Sequence, residues 1–246
     1  MRIFIGTIPG ARRMYNFVRL LLFPSYRKDG LCTVHNCNFQ DTHEFRKAYS
    51  AALSKQPGTD IQWRAHVTQW AAFQATKLAG DFVECGVHRA FLSTSAIVYV
   101  EFEKLIDRNF YLFDTYCGLV DKQVTKADKA AHRNYYYDTY DFVKESFRNY
   151  KNVIIVKGVI PDILTTINIH QVAYLSIDMN CAQPERAALE HFWPILTPGG
   201  LIILDDYGFA GHESQKQAAD EFASNVGVRI LSLPTGQGLI IKPPSA

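Results

Sequence analysis

The fold is decided by one stretch, Gly80-Asp81-Phe82-Val83-Glu84-Cys85-Gly86-Val87-His88-Arg89-Ala90. A short apolar run ends there in an acidic residue, and a glycine and the start of a helical pattern follow. That order is typical of the first strand, turn and helix of a doubly wound parallel sheet, in which ligands bind at the carboxyl ends of the strands. A dinucleotide fold would carry Gly-x-Gly-x-x-Gly, so that a helix N-terminus can approach a pyrophosphate. Gly86 alone matches that pattern, so the stretch predicts a nucleotide-like cofactor and disfavours a pyrophosphate.

Downstream of this stretch the chain alternates apolar runs with amphipathic segments. Strands are predicted at residues 110–114, 153–156, 173–177 and 201–204, and helices at 93–105, 140–150, 183–196 and 213–223. Two final runs, 228–233 and 239–241, flank the glycine turn 234–238 and predict an antiparallel hairpin. We therefore expect an α/β protein with a doubly wound, mostly parallel seven-stranded sheet, an antiparallel C-terminal hairpin and an N-terminal helical cap.

The first part of the chain precedes this pattern and contains turn signals between short apolar groups. We expect residues 1–60 to form a cap segment and residues 61–246 to form the cofactor-binding domain. The longest apolar run of the cap, residues 17–23, is interrupted by Arg19 and is far shorter than the roughly 20 residues of a membrane span. A packed helix is favoured for this run, and a contact with a membrane surface is the alternative.

The composition is ordinary for an enzyme of one large domain, with 246 residues, 48% hydrophobic and 20% charged side chains. A formal net charge of +2 gives no field that would favour nucleic acid as a partner. The five cysteines are an odd number without a Cys-x-x-Cys or zinc spacing, which is typical of reduced thiols. We therefore expect a cytoplasmic protein without a transmembrane segment, and a homo-oligomer stays open.

Acidic residues follow four of the predicted strands. Glu84 and Asp114 end the first two, where carboxylates can bind an amino group and the hydroxyls of a ribose. Asp178, Asp205 and Asp206 follow two later strands. Three carboxylates without clustered His or Cys suit a hard cation such as Mg²⁺, which would lower the pKa of a bound hydroxyl. An ordinary exposed turn is the alternative for each acid taken alone.

Four other polar or aromatic residues are candidates for contacts with a substrate. Trp63 and His66 lie three residues apart on one face of a predicted helix at 61–78 and could line a pocket together. Packing under the sheet is an equally compatible interpretation of this pair. His212 is a candidate proton carrier and Gln237 a candidate orienting group, and a structural role is the alternative for both.

A polar excursion at residues 117–150 separates the second predicted strand from the third. It is rich in tyrosine, with Tyr135, Tyr136, Tyr137 and Tyr140 close together. A connection of this length inside a compact unit is commonly functional. We interpret it as a lid over the substrate.

Several ordered motifs resemble the macrocin O-methyltransferase family. They are GDFVECGV at 80–87, FYLFDT at 110–115, PGG at 198–200, DDYG at 205–208, ADEF at 219–222 and TGQG at 235–238. The resemblance covers residues 61–242. It implies a Rossmann-like methyltransferase fold, S-adenosylmethionine as methyl donor, and methylation of a hydroxyl on a sugar of a natural product, glycolipid or polysaccharide.

The resemblance and the residue pattern together define the predicted sites. The cofactor site consists of Glu84, Gly86, Val87, Ser93, Asp114, Gly158, Ile160 and Asp178. The Mg²⁺ ligands implied by the resemblance are Asp178, Asp205 and Asp206, and Asp178 is implied as general base. His212, the candidate proton carrier, is added from the residues themselves as a second catalytic group. The residues predicted to contact the small-molecule or glycan acceptor are Trp63, His66, Tyr207 and Gln237.

The sequence departs from the family pattern at a few positions. Asn180 replaces the second acid of Asp-x-Asp, and Cys117 stands where relatives tend to carry Glu. Ala90 and Phe91 replace the glycines that usually open the helix after Glu84. Two alternatives therefore stay open, a nicotinamide-dependent oxidoreductase on a similar sheet and a non-catalytic module that binds S-adenosylmethionine.

Overall fold

The computed structural model describes residues 11–124 and 137–244. Within these residues the helices are α1 Ala11–Leu22, α2 His43–Lys55, α3 Gln62–Ala75, α4 Phe91–Tyr99, α5 Tyr140–Ser146, α6 Ala182–Phe192 and α7 Glu213–Asn225. The strands are β1 Tyr26–Lys28, β2 Leu31–Thr33, β3 Asp81–Cys85, β4 Phe110–Asp114, β5 Val153–Lys157, β6 Val172–Ile177, β7 Leu196–Leu204, β8 Leu231–Ser232 and β9 Gly238–Ile241.

The main sheet has seven strands in the order β5-β4-β3-β6-β7-β9-β8. Strands β3 to β7 pair in parallel, and β9 runs antiparallel to both β7 and β8. The predicted doubly wound sheet with a C-terminal hairpin is therefore confirmed. From β3 the chain adds β4 and β5 on one side of the sheet, and then β6 and β7 on the other side. Sheets of this kind bind ligands at the point between β3 and β6 where the direction changes.

Helices cover both faces of the sheet, and the alternation of side chains along each strand explains why. Phe82 of β3 packs on the face that carries α3, α4 and α5, whereas its neighbour Val83 packs on the face that carries α6 and α7. Strand β6 is buried along its whole length. A strand covered on both faces is expected to be continuously apolar, as this one nearly is.

Several elements differ from their predicted bounds, and two of them, α4 and β7, do so for evident local backbone reasons. Helix α4 ends at Tyr99, because Glu101 adopts a left-handed conformation with φ 51°. Strand β7 begins at Leu196 and contains the predicted turn as a bulge, and Gly199 within it has φ 83°. The bulge shifts the pairing with β6: Val172 pairs with Leu196 before it, and Tyr174 pairs with Leu201 after it.

The N-terminal segment contains both packed and unpacked parts. Helix α2 packs on α4 through Phe45, Tyr49, Phe91 and Leu92. Helix α1 differs from the packed helix that the sequence favours, because its large apolar side chains are exposed. Among the residues that the structure describes, none of the helices has both the length and the apolar character that crossing a bilayer requires.

The predicted lid lies partly outside the described residues. Tyr135 and Tyr136 belong to the segment 125–136, which the structure does not describe. Tyr137 is described and exposed, and Tyr140 begins α5, which ends at Ser146 instead of the predicted residue 150. The lid therefore stays a prediction.

Gly86 is the residue that holds the ends of β3 and β6 together. It has φ 90°, and a Cβ atom added to it would lie 1.9 Å from the backbone oxygen of Asp178. No side chain fits there without moving the backbone of the neighbouring strand end. The turn after β3 therefore requires glycine at this position for reasons of space as well as conformation.

We predict that Gly86→Ala destabilises the protein much more than Gly211→Ala. Gly211 has nearly the same φ, 91°, but open space around the position of a Cβ atom. The control variant should cost about 1–2 kcal/mol of unfolding free energy from conformational strain alone. Gly86→Ala should cost at least about 3 kcal/mol, because the clash with a neighbouring strand adds to that strain. Urea unfolding measures both, and equal losses would contradict the proposed close contact.

Candidate active site

One cavity of about 470 Å³ opens at the carboxyl ends of β3, β4, β6 and β7. Its volume lies in the range of small-molecule and cofactor sites. All five acids predicted at strand ends line it: Glu84, Asp114, Asp178, Asp205 and Asp206. The parallel register of the strands therefore gathers carboxylates that lie up to 122 positions apart in the sequence.

Glu84 forms part of the deep wall of this cavity. It is 3% exposed, and its Oε2 atom has no hydrogen-bond partner among the described residues. Burial, with smaller contributions from the nearby charges of Asp205 and Asp114, raises the pKa of Glu84 to about 8, while the hydroxyl of Ser93 opposes the shift. A buried carboxyl group with an unpaired oxygen is suited to bind a cationic group of a ligand.

Asp114 is engaged by the turn that follows β3. Its Oδ2 atom accepts the backbone N–H groups of Val87 at 2.6 Å and His88 at 2.8 Å, and its Oδ1 accepts the N–H of Tyr116 at 2.6 Å. The Thr115 hydroxyl also lies 3.4 Å from Oδ1, but it donates its one proton to the carbonyl of Gly118 at 2.6 Å. Oδ1 therefore keeps acceptor capacity, because a carboxylate oxygen can accept two hydrogen bonds. The N–H groups that a dinucleotide fold would direct at a pyrophosphate therefore donate to a protein carboxylate here.

The turn from residue 86 to 90 adopts the left-handed backbone conformations that glycine favours, although only Gly86 in it is a glycine. Gly86, His88 and Ala90 all have positive φ, at 90°, 48° and 61°. Two non-glycine residues thus occupy left-handed conformations that cost energy and persist only where contacts fix them. The bonds from Val87 and His88 to Asp114 provide such contacts.

Asp178, Asp205 and Asp206 form a close group, the acid triad. One carboxylate oxygen from each lies within 4.8 Å of the others. Burial is the largest cause that raises the pKa of Asp178 and of Asp206, and the charge of Asp205 adds to it in both cases. The Oδ2 atom of Asp206 is buried and has no hydrogen bond from the described residues, although His212 Nε2 lies 3.8 Å away.

The acid triad is paired with a cation that sequence reasoning missed, Arg64 of α3. Its Nη1 lies 2.5 Å from Asp205 Oδ2, and its Nε lies 2.9 Å from Asp29 Oδ2 in the turn between β1 and β2. Burial lowers the pKa of this guanidinium, but the charges of Asp205, Asp29 and Asp178 outweigh burial and raise it. The guanidinium also lies 5.0 Å from the ring centroid of Phe209.

Arg64 could have been found only indirectly. It precedes Asp205 by 141 positions, so no local pattern links them. The single available signal was electrostatic, because a cluster of buried carboxylates requires a cation from elsewhere in the chain.

The structure separates the predicted acceptor residues from the cavity wall. Gln237 is fully buried and donates from Nε2 to Asp205 Oδ1 at 2.9 Å, so it orients a triad member. The hydroxyl of Tyr207 donates to Asp220 at 2.6 Å, on the side of the sheet covered by α7. Neither side chain lines the cavity described above.

Trp63 and His66 do not line the cavity either, and they belong to an aromatic cluster of the cap. The His66 ring stacks on Phe39 with centroids 4.0 Å apart, and Trp63 contacts both rings edge-on. Burial lowers the pKa of His66. The structural interpretation of this pair therefore fits its surroundings.

The remaining predicted residues divide between the cavity and its support. Val87, Gly86, Gly158, Ile160 and His212 line the cavity, whereas Ser93 is buried behind Glu84 in α4. Gln123, which sequence reasoning did not include, also lines it and donates to the carbonyl of Ile160 at 2.6 Å. Asn180 approaches Asp178 Oδ1 at 3.4 Å, and Cys117 is exposed.

Comparisons with known proteins agree with this architecture. The sequence model of a family described as Macrocin-O-methyltransferase (TylF) matches residues 65–230. A search among curated proteins found no match.

Several solved structures share the fold at low sequence identity. The O-methyltransferase NovP has a TM-score of 0.65 and 22% identity over 73% of this chain and 79% of that chain. The calicheamicin methyltransferase CalS11 has a TM-score of 0.59 and 16% identity over 85% and 94%, and its apo structure, with a TM-score of 0.51 and 15% identity over 85% and 96%, is described as a TDP-rhamnose 3'-O-methyltransferase. The SAH-bound methyltransferase PaMTH1 of Podospora anserina has a TM-score of 0.54 and 11% identity over 83% and 89%.

We predict that Arg64→Met destabilises the protein by about 3–5 kcal/mol at neutral pH, because it leaves buried carboxylates without their cation. Adding Asp205→Asn should recover part of this loss. Arg46→Met is the matched control, since Arg46 pairs with Asp41 and both side chains are more than 60% exposed. Urea unfolding should show little change for the control. An Arg64→Met variant as stable as the control would contradict the role of Arg64 as the counter-ion of the triad.

Proposed function

We propose, from the premise that this chain belongs to the macrocin O-methyltransferase family and is an O-methyltransferase, that it transfers the methyl group of S-adenosylmethionine to a sugar hydroxyl with the help of a divalent cation at the acid triad. The observation that carries the proposal is that one cavity joins the buried Glu84 carboxyl to the triad. The Oε2 atom of Glu84 has no hydrogen-bond partner among the described residues. A methyl donor bound at one end of this cavity would meet an activated hydroxyl at the other.

The methyl donor would bind along β3, β4 and β5. Glu84 would receive the ammonium group of the methionine part, because it offers the one buried acidic oxygen at that wall without a partner among the described residues. The remaining acceptor capacity of Asp114 Oδ1 suits a ribose hydroxyl. Gly158, Ile160 and Gln123 would flank the adenine. When bound, S-adenosylmethionine would supply an electrophilic methyl group on a sulfonium, which passes to the acceptor oxygen as the S–CH₃ bond breaks and the sulfur leaves as a neutral thioether.

The donor set of the triad fits a hard divalent cation. It supplies carboxylate oxygens only, and Asp206 Oδ2 is buried without a hydrogen bond from the described residues. Asp178, Asp205 and Asp206 would hold the ion, and its chemistry there would be to lower the pKa of the acceptor hydroxyl. Arg64 and Gln237 already donate hydrogen bonds to the two oxygens of Asp205. Asp205 would therefore bind the ion through a remaining lone pair, or the ion would take the place of Arg64 on Oδ2.

The protein groups around the triad have separate tasks. Asp178, whose pKa burial and neighbouring acids raise, is positioned to accept the proton of the hydroxyl. His212 lines the cavity near Asp206 and can pass a proton toward solvent, since it lies at the start of α7. Phe209 and Val87 contribute apolar wall that excludes water and keeps the donor and acceptor aligned.

A sugar acceptor would enter beside Arg64, Phe209 and His212. These residues lie on the triad side of the cavity and supply a cation, an aromatic face and an imidazole. They replace Trp63, His66, Tyr207 and Gln237 as our candidates for direct acceptor contacts. The class of acceptor is supported by the family and by the similarity of the fold to CalS11, which is itself a TDP-rhamnose 3'-O-methyltransferase.

The experiment that tests this function combines binding and turnover. S-adenosylmethionine should raise the melting temperature, whereas NAD should not, and Mg²⁺ should increase methyl transfer to a panel of nucleotide sugars and glycosides. Asp206→Asn should lower Mg²⁺-dependent turnover at least about 100-fold while donor binding persists. Asp107→Asn, a change at a well-exposed acid, is the matched control.

The other outcomes identify the alternatives. Stabilisation by NAD alone would favour an oxidoreductase. Binding of S-adenosylmethionine without turnover of any acceptor would favour a non-catalytic module.

A second prediction concerns the proton on Glu84. With a pKa of about 8, this group is mostly protonated at pH 7 in the free protein, and it must ionise to bind an ammonium group. Donor binding at pH 7 should therefore release close to one proton, and affinity should increase as the pH rises toward 8. Calorimetry in two buffers of different ionisation enthalpy measures this release.

Glu84→Gln should abolish this proton release and weaken donor binding at least about tenfold. Because a carboxyl pKa raised by folding lowers stability as the pH rises from about 4.5 to 8, the variant should also unfold less readily at pH 8 than the natural chain does. Glu185→Gln is the matched control, since Glu185 has the same raised pKa of about 8 but lies outside the cavity wall. Unchanged proton release in Glu84→Gln would contradict the assignment.

A further inference from the structure

We propose that helix α1 docks the protein onto an anionic lipid bilayer, with its axis in the plane of the interface. Helix α1 runs over Ala11–Leu22, and its large apolar side chains are exposed. Met14 is 66% exposed, Phe17 62% and Leu22 60%, and Phe23 just after the helix is 71% exposed. So much apolar surface on one short element marks an interaction site.

The apolar and basic side chains of α1 lie on opposite sides. At 100° per residue, the side chains of one arc of about 140° are Met14, Phe17, Val18, Leu21 and Leu22. The opposite arc contains Arg13, Asn16 and Arg19, with Leu20 as its one large apolar side chain. A narrow polar face that is basic and an apolar face of Met, Phe and Leu are the features of interfacial helices.

The charge of the N-terminal region is complementary to an anionic surface. Residues 1–28 contain six basic residues and no Asp or Glu, whereas residues 29–246 contain 20 basic and 24 acidic residues. Arg13 and Arg19 pair with no carboxylate in the described part of the chain. The net positive charge is thus confined to the segment that carries the exposed apolar face, and anionic headgroups would neutralise it.

The attachment of α1 leaves its apolar face outward. The guanidinium of Arg27 in β1 donates to the carbonyls of Leu20 and Leu21 at 2.7 and 2.9 Å, so it ties the end of the helix to the β1–β2 hairpin. The hairpin is itself fixed to the body, because Tyr26 is buried and its hydroxyl lies 3.1 Å from Gln62 Oε1. The helix is therefore held at its C-terminal end and not by burial of its apolar side chains.

A bilayer explains this face better than a second copy of the chain does. Twelve residues of helix extend only about 18 Å, which provides far less contact than the ~800 Å² per partner of a stable interface. Two such helices packed through their apolar faces would also leave their arginines on the outer sides of the pair, without a carboxylate to neutralise them. Lipid headgroups supply the missing negative charge, and the acyl region accepts Phe17 and Leu21.

Flotation of the full chain with vesicles tests the proposal. Vesicles with 30 mol% phosphatidylglycerol should bind the protein at least about tenfold more tightly than pure phosphatidylcholine vesicles, and 0.5 M NaCl should weaken that binding. Phe17→Glu with Leu21→Glu, and separately Arg13→Gln with Arg19→Gln, should each reduce binding about tenfold or more. Ile106→Glu is the matched control, since Ile106 is a 90% exposed apolar residue outside α1, and it should bind like the natural chain.

Each variant should keep its melting temperature, because α1 does not pack on the core, and circular dichroism confirms that it is folded. Equal binding to both kinds of vesicle, or no binding to either, would overturn the proposal. So would a concentration-dependent dimer in light scattering that Phe17→Glu with Leu21→Glu dissociates, because that result would assign the face to a second copy.

Discussion

Electrostatic repulsion among five carboxylates at one edge of the sheet is the constraint on which the site depends. The parallel register places them there, and burial deprives them of the water that would screen them. Among the described residues, the guanidinium of Arg64 offsets part of this charge, and the raised pKa values of Glu84, Asp178 and Asp206 favour their protonated forms. A site in this condition has a strong affinity for added positive charge. An ammonium group, a sulfonium and a divalent cation are all of that kind, so a single electrostatic state of the free protein suits both the methyl donor and the metal ion of the proposed reaction.

The turn after β3 shows how the same fold excludes a different ligand. Its backbone follows left-handed conformations at Gly86, His88 and Ala90, as a glycine-rich turn would. Its N–H groups, however, are bonded to Asp114, so they are not available to the phosphates of a dinucleotide. In the proposed function, the preference for a cationic cofactor thus depends on the hydrogen bonds that the N–H groups of Val87 and His88 already make with Asp114, and not only on the number of glycines.

The sequence predicted the sheet and the position of its acids because both depend on local patterns. Apolar runs mark buried strands, and an acid at the end of a run must lie at the sheet edge. Contacts between distant elements had no such pattern. Arg64 reaches Asp205 from another layer, Tyr207 turns toward α7 although its neighbour Asp206 faces the cavity, and Trp63 finds an aromatic cluster in the cap. The exposed α1 was unpredictable for a related reason, because amphipathic periodicity shows that a face is apolar but not what covers it.

The pair of ion contacts made by Arg64 has a consequence for communication across the molecule. Asp29 lies in the β1–β2 turn and Asp205 in the triad, and the same guanidinium binds both. Any ligand that draws Arg64 away from Asp205 must also alter its hold on the hairpin that carries α1. By thermodynamic reciprocity, whatever shifts the hairpin must change the affinity of the triad for its ligand by the same factor. The β1–β2 hairpin and the acid triad are therefore energetically linked through one side chain.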